Sequence, residues 1–553
     1  MPREPETALL DPEQAPTRPD QVPGGRAAAS GGPGGDRLGR SGVALLVFAM
    51  LLGLVTHSWN IFKYPLYLSD EGIYMEQAWS VLREGKLSPY TYFYDHAPLG
   101  WMTIAGWVSL VPGQFNSLGF PVNIGRVLMV IVHVGCVFLM FEVVRRYSGS
   151  KAAAFLATFL FNVSPLAVYF QRMVLLDNLM VFWVLVGLYI LARKDGRVVT
   201  AMGAGLAFGC ALVTKENALF LLPGFGYLLH RSIVEQGNRR FSASFWWFAA
   251  GSPVALYMLY AEIKNELLPA NLDFNLSSPP ADHVSLLYTI WWQLNRTASG
   301  GQGTMFSSLL HDSWMWKDRY ILYAGTAATL GNLVLSLNSR RREVPMLGAA
   351  LLAIGYGFYL TRSVLLDFYV APLVPLLALN IGLLYGRITR YGRPAAVALL
   401  TAMLCGLPLS TPHGYLVAWN SDGTRLLLAD QYRLPQTNMQ NLQVKWIRQN
   451  IPPDAHLIID DDVWVALRDG TPKYPNAQSH FKAASDPDIR DKVFHRDWHN
   501  VDYVVMSNKM RDALERNNEY WILEAIDQHG EQVWRIDRGD VHLEVIKINK
   551  DSG

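Results

Sequence analysis

The chain has 553 residues, of which 51 % are hydrophobic and 17 % charged, with 48 basic and 46 acidic side chains for a formal charge of +2. A mean hydropathy of +0.14, with charge below the usual quarter, fits a protein part membrane and part aqueous. The charge balance leaves no polycationic surface for nucleic acid. Cys136, Cys210 and Cys405 lie in long apolar runs with no CxxC spacing, which excludes a disulfide framework and a zinc finger.

Residues 1–40 are rich in Pro, Gly and Ala and too poor in large apolar side chains to offset chain entropy, so a disordered cytoplasmic tail is expected. From 41 to 411, apolar runs on the scale of the ~20-residue span fall at 43–62, 122–144, 152–170, 174–192, 198–213, 217–231, 244–262, 320–337, 345–361, 366–385 and 394–411. These predict about 11 spans. Run 98–112 is short, bracketed by Pro98 and Pro112, and reads as a juxtamembrane or re-entrant helix.

Charge tests that count, because cytoplasmic loops carry the Lys and Arg excess. If 98–112 does not cross, Arg145, Arg146 and Lys151 share the side of the N-terminus with Arg193, Lys194 and Arg197 and with Arg231, Arg239 and Arg240. Arg340, Arg341 and Arg342 join them, as do Arg387, Arg390 and Arg393. The expected topology is N-terminus in and C-terminus out. Residues 412–553 then form a small extracytoplasmic α/β domain. Asn438–Asn450 is its amphipathic helix, stopped by Pro452 and Pro453, and His456–Ile459, Val501–Met506 and Leu543–Ile548 are its strands.

The same topology sorts the polar residues. Asp70, Glu71, Asp95, His96, Arg172, Asp177, Lys215, Glu216, Arg362, Asp367 and Tyr369 all fall on the outer side or just inside its boundary. Ionisable groups at membrane depth are costly and face a cavity or a partner, so one convergent polar site is the simplest account. Each group also has a plainer reading. Asp70-Glu71 opens a helical stretch, Gly72–Glu84, where acidic residues favour the dipole. Arg172 with Asp177, and Lys215 with Glu216, read as self-satisfied pairs, and Arg362 as a snorkelling side chain. His283 and His311 have no ligand spacing and read as solvated; Asp460, Asp461 and Asp462 read as a solvated strand end.

Taken together, Asp70-Glu71, the loop Asp95-His96-Ala97-Pro98-Leu99-Gly100-Trp101, Arg172–Asp177 and Tyr369-Val370-Ala371-Pro372-Leu373-Val374-Pro375 resemble the GT-C membrane glycosyltransferases over about residues 43–400. Within them the chain is most similar to the protein O-mannosyltransferases and to the aminoarabinose transferases that modify lipid A. The resemblance implies an α-helical polytopic GT-C fold and a sugar donor carried on polyprenyl phosphate. The sugar would pass to an envelope acceptor (protein, lipid or polysaccharide) on the outer face of a bacterial plasma membrane. It implies Asp70 as general base in an inverting displacement, with Glu71 and His96 on the acceptor side. Arg172, Lys215, Arg362 and Arg296 would gather around the leaving phosphate, with Tyr369 as hydrogen-bond donor. Asp177 would orient Arg172 or bind a sugar hydroxyl, while Tyr92 and Tyr94, with Tyr90, suit stacking on sugar. No cofactor is required. In the aminoarabinose transferases a carboxylate at the position of Asp95 shares zinc with a long-loop histidine; the nearest match here is Gln293, so no metal residue is assigned and a divalent metal stays open. A β-trefoil pattern is absent from the C-terminal region. The competing readings are a multi-pass lipid or solute transporter, disfavoured because repeated halves and a midplane site are missing, and a non-catalytic envelope scaffold.

Overall fold

The computed structural model describes residues 38–550 except 194–196, 234–238, 273, 275–283, 296–301, 339–343, 363, 396, 399, 403, 405–417, 420–424, 427–429, 518 and 540. The expected tail, with Arg296, His283, Cys405 and the Arg340–Arg342 cluster, lies outside the described residues.

The membrane part is built from α1 (Gly39–Ser58), α2 (Ser69–Arg83), α3 (Leu99–Leu110), α4 (Pro121–Ser148), α5 (Lys151–Val163), α6 (Pro165–Phe170), α7 (Leu176–Leu191) and α8 (Val198–Leu212). It continues through α9 (Leu222–Ile233), α10 (Arg239–Ile263), α11 (Leu286–Asn295), α12 (Gln302–Ser308), α13 (Met315–Asn338), α14 (Val344–Arg362) and α15 (Leu373–Tyr391). Among the described residues, five helical stretches are long and apolar enough to cross a membrane, namely Gly39–Ser58, Pro121–Ser148, Met305–Leu337, Val344–Arg362 and Asp367–Tyr391. Others in the series of apolar runs are shorter or broken. Run 152–170 breaks at Ser164, where Pro165 excludes the helical conformation from its predecessor and the Ser164 hydroxyl starts α6 by accepting from the Ala167 amide at 3.4 Å. Run 217–231 opens as a 3-10 turn, Glu216–Leu221, and run 366–385 as another, Asp367–Val370. Run 98–112 is α3, only 12 residues long, as its bracketing prolines predict.

Local chemistry fixes the longest helix. Pro121 sits in the first turn of α4, where its missing N–H costs nothing, and Gly149 ends it in the left-handed conformation at φ 71°. Around α4 pack α1, α5 and α7, then α8 against α7 and α10, with α13 and α14 against α15. Basic groups collect at one end of this bundle. Arg145 and Arg146 hold Glu142 at 2.8–3.1 Å, Lys151 reaches Ser41, and Arg390 donates to the Ser148 carbonyl.

The C-terminal domain docks at the opposite end. Helix α16 (Asn438–Asn450) matches its predicted bounds, and β1 (Leu457–Ile459) runs into α17 (Asp461–Arg468). After β2 (Ala477–Ser479) come α18 (His480–Ser485), β3 (Tyr503–Ser507), β4 (Gly530–Arg538) and β5 (Val541–Ile548). The sheet order is β2-β1-β3-β5-β4. Strand β1 is parallel to both neighbours, with Ile458 opposite Gln478 and Val504, whereas β3–β5 and β5–β4 are antiparallel. Asp461 and Asp462 are buried in the first turn of α17. The solvated strand end expected there is not formed, because the docked α2 covers it.

Docking is polar as well as apolar. The Trp59 indole donates to the Tyr432 carbonyl at 3.1 Å, Thr437 to the Phe62 carbonyl at 2.7 Å, and Arg83 makes a two-pronged contact with Asp469 at 3.1 Å. Gly72 is the point of closest approach: a Cβ there would strike the Asp461 backbone. Gly72→Val is therefore expected to destabilise by about 1–3 kcal/mol, the usual range for overpacking, and to expose the C-terminal domain. Thermal unfolding and limited proteolysis of the detergent-solubilised protein check this.

Candidate active site

Asp70 is the second residue of α2 and Glu71 the third, and the helix turns their carboxylates to different partners. Glu71 has no exposed surface. Its Oε1 accepts from Arg126 Nε at 2.9 Å and from the Val174 amide at 2.9 Å. Its Oε2 accepts from Arg126 Nη2 at 2.6 Å and from the Leu68 amide at 3.1 Å. Four donors occupy the carboxylate, so Glu71 is a clamp, not a group open to an acceptor; this corrects the expected catalytic placing. Arg126, equally buried, also donates to the Ile61 and Pro65 carbonyls at 3.0 and 2.9 Å and lies 4.6 Å over the Tyr67 ring.

Asp70 is different. No described residue hydrogen-bonds to its carboxylate, and it keeps partial exposure. Burial pushes its pKa up to about 6, against the pull of Lys215 and His96 and with the help of Asp461 and Asp177. The groups named in that balance converge from α2, the loop before α3, the start of α7, the α8–α9 junction and α17.

Lys215 and Asp177 form a buried ion pair, 2.5 Å between Nζ and Oδ2, with side chains 2 % and 0 % exposed. The Lys215 ammonium also lies 4.5 Å over the Tyr369 ring and 5.0 Å over that of Phe368. Asp177 Oδ1, the Tyr74 hydroxyl and Asn217 Oδ1 are buried without a hydrogen-bond partner among the described residues. Tyr74 stands one turn after Asp70, and burial beside Asp70 and Asp177 raises its phenol above the ordinary value, so it stays protonated. Tyr356 links Asn217 to the Tyr369 carbonyl, both bonds at 3.1 Å. Unpaired buried polar atoms are costly, and several in one place mark a surface shaped for a polar ligand.

His96 pairs with Glu216 at 3.1 Å, and the same carboxylate accepts from the Ala97 amide at 2.7 Å. Tyr92 donates to the His96 carbonyl at 2.5 Å. The expected self-satisfied pair of Lys215 with Glu216 is thus not formed: successive residues at a turn diverge, one to Asp177 and one to His96. Nor does Arg172 meet Asp177. Arg172 is fully buried and donates to the Gln431 and Thr56 carbonyls at 3.0 and 2.6 Å. This removes it from the predicted phosphate set, because its guanidinium ties α1 to the C-terminal domain.

The aromatic loop is also structural. Tyr94 is buried and gives its hydroxyl to Glu266 at 2.5 Å; Tyr90 accepts from the Trp464 indole and the Ser479 amide at 2.7 and 3.0 Å. Tyr90 is half-buried edge-on to Trp464, and Tyr92 packs its ring on Tyr94 and Trp101. Arg362 is exposed at the end of α14, over the Phe358 ring. Asp95 is exposed and belongs to no group of three or more metal-ligating side chains among the described residues. His311 is exposed, as expected.

Sequence reasoning missed Tyr74, Arg126 and Lys317. Tyr74 was signalled by its i+4 spacing from Asp70 and Arg126 by its charge inside an apolar helix. Lys317 pairs with Asp367 at 3.1 Å, at the other end of the turn whose Tyr369 lies under Lys215.

Residues 47–259 match the model of the dolichyl-phosphate-mannose-protein mannosyltransferase family. The chain is 27 % identical over 206 residues to the dolichyl-phosphate-mannose–protein mannosyltransferase 1 of Candida albicans, covering 32 % of this chain and 23 % of that protein. It thus spans about a quarter of the length of that curated relative. Its fold is that of ArnT from Cupriavidus metallidurans, solved with undecaprenyl phosphate, at TM-score 0.57 and 13 % identity over 91 % of this chain and 97 % of the other. The Archaeoglobus fulgidus oligosaccharyltransferase tethered to an acceptor peptide matches at TM-score 0.54 and 13 % identity over 91 % and 73 %. The GT-C membrane fold expected from the sequence is therefore the fold of this chain.

Arg126→Ala leaves Glu71 buried and uncompensated, a change that costs about 3–5 kcal/mol in comparable buried pairs. Thermal unfolding is expected to report that loss, and a loss of the same order for Glu71→Gln, which strands the buried Arg126 charge.

Proposed function

We propose that this protein is an integral-membrane glycosyltransferase that moves a sugar from a polyprenyl-phosphate donor to an envelope acceptor at the outer face of a bacterial plasma membrane. The observation that carries this reading is Asp70: a carboxylate without a hydrogen bond, raised to about 6, facing the Lys215–Asp177 pair. A base with that pKa is ionised at neutral pH yet more basic than an ordinary carboxylate, which suits general-base work. Asp70 takes the proton of an acceptor hydroxyl as its oxygen attacks the anomeric carbon, and the lipid phosphate leaves from the opposite face, with inversion. Tyr74 and Asp177 hold sugar hydroxyls through their unpaired oxygens.

Family and fold support the donor class: ArnT was solved with undecaprenyl phosphate, and the matched family model describes enzymes using dolichyl-phosphate mannose. An apolar groove of about 390 Å³, lined by Leu310, Trp314, Leu322, Ala353, Leu360 and Leu377, suits a polyprenyl chain. The Trp314 indole donates to the Asp367 carbonyl at 2.8 Å, so this groove leads to the residue that holds Lys317. Lys317 and the exposed Arg362 then stabilise the departing phosphate, with Arg296 a further cation and Lys215 acting through its field. The basic end of the bundle, from Arg145 to Arg390, supports a cytoplasmic face there by the positive-inside rule, and with it an outer position for Asp70 and the C-terminal domain.

Wild-type and Asp70→Asn protein in liposomes with radiolabelled polyprenyl-phosphate sugars and envelope extract test this. Wild type is expected to release lipid phosphate, and Asp70→Asn to lose about 10²–10⁴-fold, the usual worth of a general base. Because the base works ionised, the wild-type rate is flat above pH 7 and drops about tenfold per unit as pH falls below about 6. Undiminished transfer by Asp70→Asn, or no donor consumption by wild type, overturns the reading.

A further inference from the structure

Where α2 meets the C-terminal domain, three side chains converge that the glycosyl-transfer reading does not use. Asp460 follows β1 and caps α17, Asp461 opens α17 and His480 opens α18, and one ligand atom from each lies within 4.8 Å of the others. His480 is 9 % exposed, and its Nδ1, 3.9 Å from Asp461 Oδ2, has no hydrogen-bond partner among the described residues. Two metal–ligand bonds of about 2.0–2.1 Å reach across at most about 4.1 Å, so a single ion can sit between imidazole and carboxylate with little movement. The carboxylates are already oriented. Asp461 Oδ2 accepts from the Ser69 hydroxyl at 2.5 Å and Oδ1 from that of Ser479; Asp460 Oδ2 accepts from Ser507 at 2.6 Å and Oδ1 from the Asp461 amide at 3.0 Å. Hydroxyls that hold ligating carboxylates in place are typical support for a metal site.

Carboxylates crowd the surroundings, and Lys482 and Arg468 lie within electrostatic reach of Glu76. Glu76, on the face of α2 that meets this domain, is 2 % exposed with Oε2 unpartnered, and Asp462 is 7 % exposed. With Asp460 and Asp461 they gather four carboxylates at this junction. A bound dication relieves that repulsion.

We infer that Asp460, Asp461 and His480 form a divalent-metal site of the zinc class, with oxygen and nitrogen donors. The ion fastens β1, α17 and α18 together, and through Ser69 joins the C-terminal domain to the residue that precedes Asp70. Its role is structural, so its test is metal content and not sugar transfer.

Tag-free, full-length protein in detergent is stripped with chelator and dialysed against buffered zinc, and bound zinc is measured per chain. Wild type is expected to hold one zinc. His480→Ala should bind at least a hundredfold more weakly, Ser69→Ala about tenfold more weakly through the lost support, and His311→Ala like wild type. Zinc should also raise the melting temperature of wild type but not of His480→Ala. A folded wild type that retains no zinc overturns the site, and so does equal loading of wild type and His480→Ala, which marks adventitious binding only. If His480→Ala elutes as aggregate, Ser69→Ala decides, and an affinity equal to that of wild type overturns the site.

Discussion

Arg126, a guanidinium with no exposed surface, meets the fully buried carboxylate of Glu71 in a two-pronged contact of 2.6 and 2.9 Å. Neither charge could be left alone at that depth, because an uncompensated buried ion is far costlier than the pair is stabilising. The consequences spread along the chain. Arg126 takes two carbonyls of the α1–α2 connection, and Glu71 takes the amide of Leu68, which caps α2, and an amide of the α6–α7 hairpin. One ion pair therefore fixes how α2 leaves the bundle and how the hairpin carrying Asp177 lies against it. Asp70, the neighbour of Glu71, is aimed by that geometry and stays free because Glu71 has claimed the donors.

The electrostatics of the cleft follow. Asp70 is ringed by a buried ammonium, an imidazole and two other carboxylates, and desolvation outweighs the cations. Lys215 does not neutralise it outright because Asp177 already holds the ammonium at 2.5 Å. The C-terminal domain belongs to this balance: Asp461 acts on Asp70 from a helix start pressed against Gly72. A domain that looks like an appendage in the sequence thus forms one wall of the site.

Much of this was legible in the chain. Apolar runs gave the helices, Pro98 and Pro112 the short α3, Pro452 and Pro453 the end of α16, and Asp70, His96, Asp177 and Lys215 the groups that now converge. What failed were inferences from proximity in sequence. Arg172 and Asp177 read as partners across a tight hairpin, but the hairpin sends them to opposite sides, and Arg172 serves two carbonyls, one of them 259 residues away. Lys215 and Glu216 diverge for the same reason. Asp461 read as solvated because nothing in its own segment says that α2 will cover it. Tyr94 suited a sugar by composition, whereas its ring closes a local cluster with Tyr257 and Leu286. Periodicity reports an element's faces; it does not report which distant element occupies them.

Direct observation of the Asp70 carboxyl group tests the central claim without any substrate. Infrared difference spectra of wild-type and Asp70→Asn protein in lipid, recorded from pH 4 to 8, isolate its protonated C=O band. The account predicts a band that disappears with a midpoint near pH 6 and is missing from Asp70→Asn. A midpoint at or below pH 4, the range of an ordinary exposed aspartate, would contradict it.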